Sequence, residues 1–183
     1  MLFPRNQLLA LPCIALAALL VACSPPPPVQ IGFIGGLTDR NSDNGQSGLN
    51  GVTLAIEQFN RDGGLDGHMV ELVVRDDAQN RETAAQSAKS LVDARVDAVI
   101  GPFTSGMAEV IVPITGKAGI FQVSPTITSM AFYGKDDNLF RINRTTRDNA
   151  RDYAKVMVER GQKRIAVAYV VRSRSFTGSW VRE

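Results

Sequence analysis

Residues 96–125, VDAVIGPFTSGMAEVIVPITGKAGIFQVSP, contain the alternation that decides the fold. A short apolar run, VDAVIGP, is followed by a helical stretch, SGMAEVIVPITGKAG, and then by a second apolar run, IFQVSP. Near-continuous apolar strands separated by helices are typical of parallel sheets that are buried on both faces. Pro113 lies inside the helical stretch and predicts a bend there. The segment therefore predicts a strand–helix–strand unit of an α/β protein.

The same alternation extends along most of the chain. Residues 29–37 and 68–77 are two further apolar runs, and each is followed by a helical stretch. We expect the first helix to begin near residues 45–48 and to end at the glycine pair 63–64. Its apolar positions recur at spacings of three and four and are Leu49, Val52, Ile56 and Phe59. The other expected elements are a helix at 82–92, a strand at 139–143, a helix at 147–161, a strand at 164–171 and a helix that begins at 175. The predicted fold class is α/β, a parallel sheet with helices on both faces.

The glycines of IGFIGG, residues 31–36, raise the alternative of a nucleotide-binding enzyme. A dinucleotide site requires G-x-G-x-x-G at a tight turn into a helix, whereas Gly32, Gly35 and Gly36 are spaced G-x-x-G-G. The polar stretch TDRNSDNGQS, residues 38–47, follows them and is too long for a phosphate turn. A nucleotide-binding α/β enzyme is therefore the less favoured alternative, and the spacing instead indicates the rim of a binding cleft.

The first residues indicate export rather than fold. Residues 1–7 carry one positive charge at Arg5, and residues 8–22 are uncharged and apolar, the layout of a secretory signal. The sequence LVAC at 20–23 looks like a bacterial lipobox, in which Cys23 is acylated after cleavage. We expect a lipoprotein signal peptide at 1–22 and an acylated cysteine with a proline-rich tether at 23–28. The protein is then exported and lipid-anchored to a bacterial membrane on its extracytoplasmic face.

Charge and residue types argue against several functions. The 20 basic and 18 acidic residues leave a formal charge of +2, which is not the electrostatic footprint of a nucleic-acid-binding protein. The arginines at 141, 144, 147 and 151 are expected on a solvated helix face and its flank. His68 is the single histidine, and neither a nucleophile–base arrangement nor metal-ligand spacing is present in the sequence. We therefore expect no catalysis, no metal and no cofactor, and we interpret Asp76 and Asp77 as turn-capping groups.

Hydroxyl side chains follow two successive predicted strands. Thr104 and Ser105 stand where the third strand meets a helix, and Thr126 and Thr128 follow the fourth strand. The amides and dipole at a helix N-terminus favour a bound anion, and ligands in open α/β sheets sit beyond the carboxyl ends of the strands. A capping role for Thr104 or Ser105 is the alternative. The four residues together predict a site for a small carboxylate.

In combination, several short motifs resemble a known family. They are GG at 63–64, RDD at 75–77, IGP at 100–102 and SPT at 124–126. From residue 29 onward the chain is similar to the leucine/isoleucine/valine-binding family of type I periplasmic solute-binding proteins. The resemblance implies a two-lobed receptor that closes on an amino acid and delivers it to an ABC permease. It implies lobe one at 29–143, the beginning of lobe two at 144–183 and a hinge near residues 141–145.

The resemblance also implies which residues bind the ligand. Ser105, Thr126 and Thr128 match the positions that hold the ligand's carboxylate, Thr126 through its backbone. The family's aromatic wall after the first strand falls at Asn44, which widens the expected ligand from branched-chain amino acids to related small carboxylates. The acidic partner of the ligand's ammonium group is implied to lie beyond residue 183, so these residues alone are expected to bind weakly or not at all. A ligand-sensing module of a membrane signalling system is the alternative function.

Overall fold

Residues 26–38, 42–168, 170–171 and 174–182 are described by the structure, a computed structural model. The predicted signal peptide, Cys23 and the first part of the tether lie outside these residues. The strands are β1 (Val29–Gly35), β2 (Val70–Asp76), β3 (Ala98–Ile100), β4 (Phe121–Ser124) and β5 (Leu139–Arg141). The helices are α1 (Asp43–Arg61), α2 (Arg81–Asp93), α3 (Ser105–Lys117), α4 (Thr146–Glu159) and α5 (Thr177–Arg182), with a 3-10 turn at Met130–Phe132.

The strands form one parallel sheet in the order β2-β1-β3-β4-β5. Strand β1 pairs with β2 along its whole length, from Val29 opposite Val70 to Gly35 opposite Asp76. Its other edge pairs with the shorter β3, where Ile31 lies opposite Ala98. All carboxyl ends meet at one edge of the sheet, and the predicted parallel sheet is confirmed.

The two faces of the sheet are covered by different helices. Ile34 and Val99 point to one face, where they pack with Leu91 of α2 and Ile111 of α3 in a fully buried cluster. Successive side chains of a strand point to opposite faces, so Phe33 points to the other face, which α1 covers over β1 and β2. The predicted helices on both faces are therefore confirmed.

The second face is covered over only part of its width. Helix α1 contacts β1 and β2, and among the described residues the aromatic side chains of β4 and β5 on this part of the sheet stay exposed. Phe121 is 51% exposed and Phe140 59% exposed, and Ile142 just after β5 is 67% exposed. An apolar surface is thus left uncovered beside α1.

Helix ends follow from local hydrogen bonds. Helix α2 begins after Asn80, whose side chain accepts from the amides of Glu82 and Thr83, and its bounds agree with the predicted 82–92. Helix α1 begins at Asp43, ahead of the predicted 45–48, because the amide of Gln46 already donates to the carbonyl of Ser42 at 2.8 Å. A carboxylate in the first turn also complements the helix dipole. Within the described residues, none of the helices has the length and apolarity needed to cross a bilayer.

The strand predicted at 164–171 is wrong for the residues that the structure describes in it. Residues 164–168 and 170 are irregular, and Ile165 and Val167 are 57% and 61% exposed. A strand is stable only when neighbouring strands satisfy its backbone groups, and no described residue pairs with this segment. The apolar alternation alone did not decide the structure here.

Glycines let α1 and the neighbouring loops approach the end of β1. A Cβ added at Gly45 would lie 2.0 Å from the carbonyl oxygen of Gly36, and one at Gly48 would lie 2.2 Å from Cε1 of Phe103. A Cβ at Gly35 would lie 2.9 Å from Cδ2 of the same ring. Distances this short do not occur for real side chains. The small residues around IGFIGG are therefore required by close packing.

Replacing glycine by alanine at two positions of α1 is expected to have opposite effects. Gly45→Ala should lower the free energy of unfolding by about 2 kcal/mol, because its methyl group meets backbone that cannot rotate away. Gly51→Ala should raise it by roughly 0.5–1 kcal/mol, because nothing lies within 4 Å and alanine favours the helix. Urea denaturation of both variants measures the effects. Equal destabilisation by both would contradict the close approach at Gly45.

Candidate functional site

The order of the strands opens a crevice between β1 and β3. The chain leaves β1 toward β2 on one side and later returns to β3 on the other, so the connections that follow β1 and β3 diverge. Such a switch point at the carboxyl edge of a parallel sheet is where α/β proteins bind ligands. The residues predicted to bind follow β1, β3 and β4 and therefore lie along this edge.

Thr104 and Ser105 stand at the N-terminus of α3, as predicted. Ser105 is the first helical residue and is only 5% exposed. Thr104 is extended, and its hydroxyl donates to Oε1 of Gln79 at 2.9 Å instead of capping the helix. The capping alternative therefore does not hold for the Thr104 side chain. Its hydroxyl proton is directed to Gln79, so donation to a ligand carboxylate would require that hydrogen bond to break.

Thr126 and Thr128 follow β4 on the neighbouring loop. The Thr126 hydroxyl donates to the carbonyl of Phe103 at 2.6 Å, which ties this loop to the one after β3. Thr128 is 4% exposed, and its hydroxyl oxygen lies 2.9 Å from the hydroxyl oxygen of Thr146. The Thr146 hydroxyl also donates to the carbonyl of Thr128 at 3.1 Å, so its single proton is divided between two oxygens of Thr128. The proton of Thr126 is already committed to backbone.

Asn44 lies in the first turn of α1 and borders a cavity of 610 Å³ at the side of these loops. Thr126 lines the same cavity, together with the apolar side chains of Phe103, Val123 and Ile142. The structure thus brings Asn44 and Thr126 to one cavity. Ser105, Thr104 and Thr128 lie outside its lining and are linked to it only through the loops they share.

Buried polar side chains that the sequence reasoning missed fix the loop after β3. The Ser124 hydroxyl donates to the carbonyl of Pro102 at 2.6 Å, and Nε2 of Gln122 donates to the carbonyl of Gly101 at 3.0 Å. Oε1 of Gln122 accepts from Thr115 of α3 at 2.7 Å. A glutamine inside the apolar run IFQVSP was the available signal, because a buried amide needs partners.

Asp76 and Asp77 are turn-capping groups at the end of β2, as predicted. Asp76 accepts from the amides of Leu37 and Ala78, each at 2.8 Å, and Asp77 accepts from the amide of Gln79 at 2.8 Å. Asp76 also accepts from the Thr38 hydroxyl, so it joins the loops after β1 and β2.

The pKa of the Asp76 carboxyl follows from these contacts. Partial burial raises it, but the hydrogen bonds from Thr38, Leu37 and Ala78 outweigh burial and hold the pKa below its ordinary value of 3.8. The folded protein therefore favours the ionised carboxylate.

Comparison with known proteins gives consistent matches. A family profile described as "Periplasmic binding protein" matches residues 28–177. The Leu/Ile/Val-binding protein BraC3 of Rhizobium johnstonii is 32% identical over 101 residues, covering 55% of this chain and 28% of the relative. The Leu/Ile/Val-binding protein homolog 7 of Brucella suis is 26% identical over 156 residues, covering 84% of this chain and 38% of the relative.

Solved structures match in the same way. The branched-chain amino acid transporter substrate-binding protein LivJ of Streptococcus pneumoniae, in complex with isoleucine, aligns with a TM-score of 0.63 and 31% identity over 65% of this chain and 34% of its own. An ABC transporter substrate-binding protein of Desulfitobacterium hafniense, in complex with Leu, aligns with a TM-score of 0.71 and 25% identity over 85% of this chain and 46% of its own. The chain spans less than half the length of each of these four proteins.

Asp76→Asn is expected to make the free energy of unfolding less dependent on pH in the acidic range. The depressed pKa means that the Asp76 contribution is fully present above the unfolded value near 3.8 and is lost as pH falls through the folded value. At pH 7 the variant should lose about 1 kcal/mol of unfolding free energy, because one amide oxygen cannot accept all the bonds of a carboxylate.

Urea denaturation between pH 7 and pH 3 measures the difference, with Asp136→Asn at an exposed residue between β4 and β5 as the control. The gap between parent and Asp76→Asn should narrow as pH falls. A gap that stays constant would contradict the role of the ionised carboxylate.

Proposed function

Because this chain belongs to the periplasmic binding protein family, we propose that it is a solute receptor that binds a small carboxylated ligand for an ABC importer. The observation that carries the proposal is the arrangement at the switch point. Helix α3 begins there without a side-chain cap, and the hydroxyl-bearing loops after β3 and β4 are joined by the bond from Thr126 to Phe103. Amide and hydroxyl donors at a helix N-terminus suit a carboxylate.

The donors and acceptors divide in a way that suits an amino acid. Ser105, Thr128 and the first amides of α3 are proposed to donate to the ligand's carboxylate. None of the hydrogen bonds described above uses the Ser105 hydroxyl or these amides, and the Thr128 hydroxyl would turn from Thr146 to the ligand. The backbone amide of Thr126 is proposed to donate to the same carboxylate, and the oxygen of Thr104 is an acceptor that would face a donor such as an ammonium group. Asn44 and the apolar cavity beside it are proposed to contact the rest of the ligand. Isoleucine and Leu in two related structures support this ligand class.

Ligand capture is proposed to involve two lobes. Residues 29–143 form lobe one, residues 144–183 begin lobe two, and the hinge lies near 141–145, where β5 ends and α4 begins. In such receptors the ligand contacts both lobes and thereby shifts the equilibrium toward the closed state. Residues 1–183 contain only part of this arrangement, so we expect them to bind the ligand with a dissociation constant above the micromolar range.

The proposed location follows from the first residues. A signal peptide at 1–22 directs export, and acylated Cys23 with the proline-rich tether at 23–28 holds the domain on the extracytoplasmic face of a bacterial membrane. An ABC permease in that membrane is the proposed partner. No nucleic acid or cofactor takes part, and the protein is not an enzyme.

Titration with L-leucine and with L-leucinamide tests the ligand chemistry. Chemical shifts of the protein should reveal weak, saturable binding of the acid and at least tenfold weaker binding of the amide, because a neutral amide lacks the charge that the donors recognise. Ser105→Ala and Thr128→Val should each weaken binding of the acid about tenfold.

Thr53→Ala, which removes an exposed hydroxyl of α1, serves as the control and should leave binding unchanged. Equal binding of acid and amide would overturn the carboxylate site. A micromolar dissociation constant measured by calorimetry would overturn the proposal that tight binding requires further residues of lobe two.

Radiolabelled palmitate tests the lipid anchor. In a bacterial host the label should enter the parent protein and Cys13→Ala but not Cys23→Ala, because Cys23 is the cysteine of the predicted lipobox at 20–23. Label retained by Cys23→Ala would show that the anchor was assigned to the wrong residue.

A further inference from the structure

We propose that Gln79 is a positioning residue of the ligand site, an inference that rests on the function proposed above. The Thr104 hydroxyl donates to Oε1 of Gln79, and this bond holds the hydroxyl oxygen away from the first amides of α3, so that it makes no capping bond. The amides of Gly106 and Met107 then stay available for the carboxylate of a ligand. Sequence reasoning gave Gln79 no role, because it lies in the turn after β2, far along the chain from α3.

The orientation of the Gln79 side chain is fixed by Asp77. Nε2 of Gln79 donates to Oδ1 of Asp77 at 3.0 Å, and Asp77 is fully buried. Oδ1 of Asp77 also accepts from the backbone amide of Gln79 at 2.8 Å and is therefore an acceptor, so the side-chain nitrogen of Gln79 must face it and Oε1 must face away from it. Oε1 lies 2.9 Å from the Thr104 hydroxyl, which therefore has to be the donor.

The backbone of Gln79 is held in place by the same turn. Ala78 and Gln79 both have positive φ, +46° and +48°, a conformation that side-chain-bearing residues rarely adopt. The amide of Ala78 donates to Asp76 and the amide of Gln79 donates to Asp77, each at 2.8 Å. Two carboxylates thus hold the strained turn that carries the Gln79 side chain to Thr104.

A second threonine, Thr145, precedes a helix and caps it with its side chain, whereas Thr104 does not. Thr145 precedes α4, and its hydroxyl oxygen accepts from the amide of Asp148 at 3.2 Å. Thr104 precedes α3 in a similarly extended conformation, but its side chain makes no capping bond. The Thr145 hydroxyl also donates, to Oδ2 of Asp148 at 2.6 Å, so donation of the proton does not prevent capping. Thr104 differs because its hydroxyl is turned toward Gln79 and away from the amides of α3. Removing the Gln79 acceptor should release the hydroxyl to rotate and cap α3.

Hydrogen exchange measured by NMR tests this role with Gln79→Met, which keeps the length of the side chain and removes its acceptor. The released Thr104 hydroxyl should cap α3 and slow amide exchange of Gly106 or Met107 about fivefold. Acetate should shift these two amide resonances in the parent and do so much less in the variant. L-leucine should bind the variant about tenfold more weakly.

Two further variants separate positioning from simple support of the fold. In the double variant Gln79→Met/Thr104→Val, residue 104 has no hydroxyl to cap α3, so amide exchange of Gly106 and Met107 should not slow. Gln86→Met at an exposed position of α2 is the control and should change neither amide exchange nor the acetate-induced shifts. The proposal is overturned if the amides of Gly106 and Met107 exchange at the same rate or faster in Gln79→Met than in the parent. It is also overturned if their exchange slows but acetate still shifts their resonances as much as in the parent. If L-leucine fails to bind the parent while exchange and acetate behave as expected, the proposed ligand is wrong and the role of Gln79 stands.

Discussion

Strand β1 forms parallel ladders on both of its edges, and the rest of the fold follows from this pairing. The chain moves outward from β1 to β2 and then back across β1 to β3 and β4. Because connections between parallel strands are right-handed, a reversal of direction places the connecting helices on opposite faces. Among the described helices, α1 is therefore the one that covers one face, while α2 and α3 share the other face and pack with Ile34 and Val99 in the buried cluster. The same reversal opens the crevice at which the hydroxyl-bearing loops meet.

The loops around this crevice are held by buried polar groups rather than by apolar packing alone. Gln122 and Ser124 of β4 hold the backbone at 101–102, and Thr126 holds the carbonyl of Phe103. Asp76 joins the loops after β1 and β2 from the other side. Except for the bond between the side chains of Thr38 and Asp76, each of these bonds satisfies a backbone group that would otherwise be costly to bury. The proposed site is therefore organised before a ligand arrives, which would lower the entropy cost of binding.

The fold could be predicted from local sequence because strand and helix periodicity is local. The alternation in residues 96–125 predicted β3, α3 and β4, and the glycine pair at 63–64 marked the end of the α1 region. The segment 164–171 failed because apolar alternation does not say whether a partner strand is present. The candidate site was assigned to the loops after β3 and β4 from Ser105 and Thr126, and that assignment stays a prediction. The partners of these side chains, above all Gln79, are far apart in sequence, and only the folded chain brings them together.

The ring of Phe103 occupies the space that side chains at positions 35 and 48 would need. Positions 35, 48 and 103 are therefore expected to change together in evolution. A larger residue at either glycine fits only if residue 103 becomes smaller. Phe103 also offers its carbonyl to Thr126 and its ring to the cavity that Asn44 borders. Divergence of the cavity wall in relatives of this chain is therefore constrained by how closely the first helix approaches the sheet.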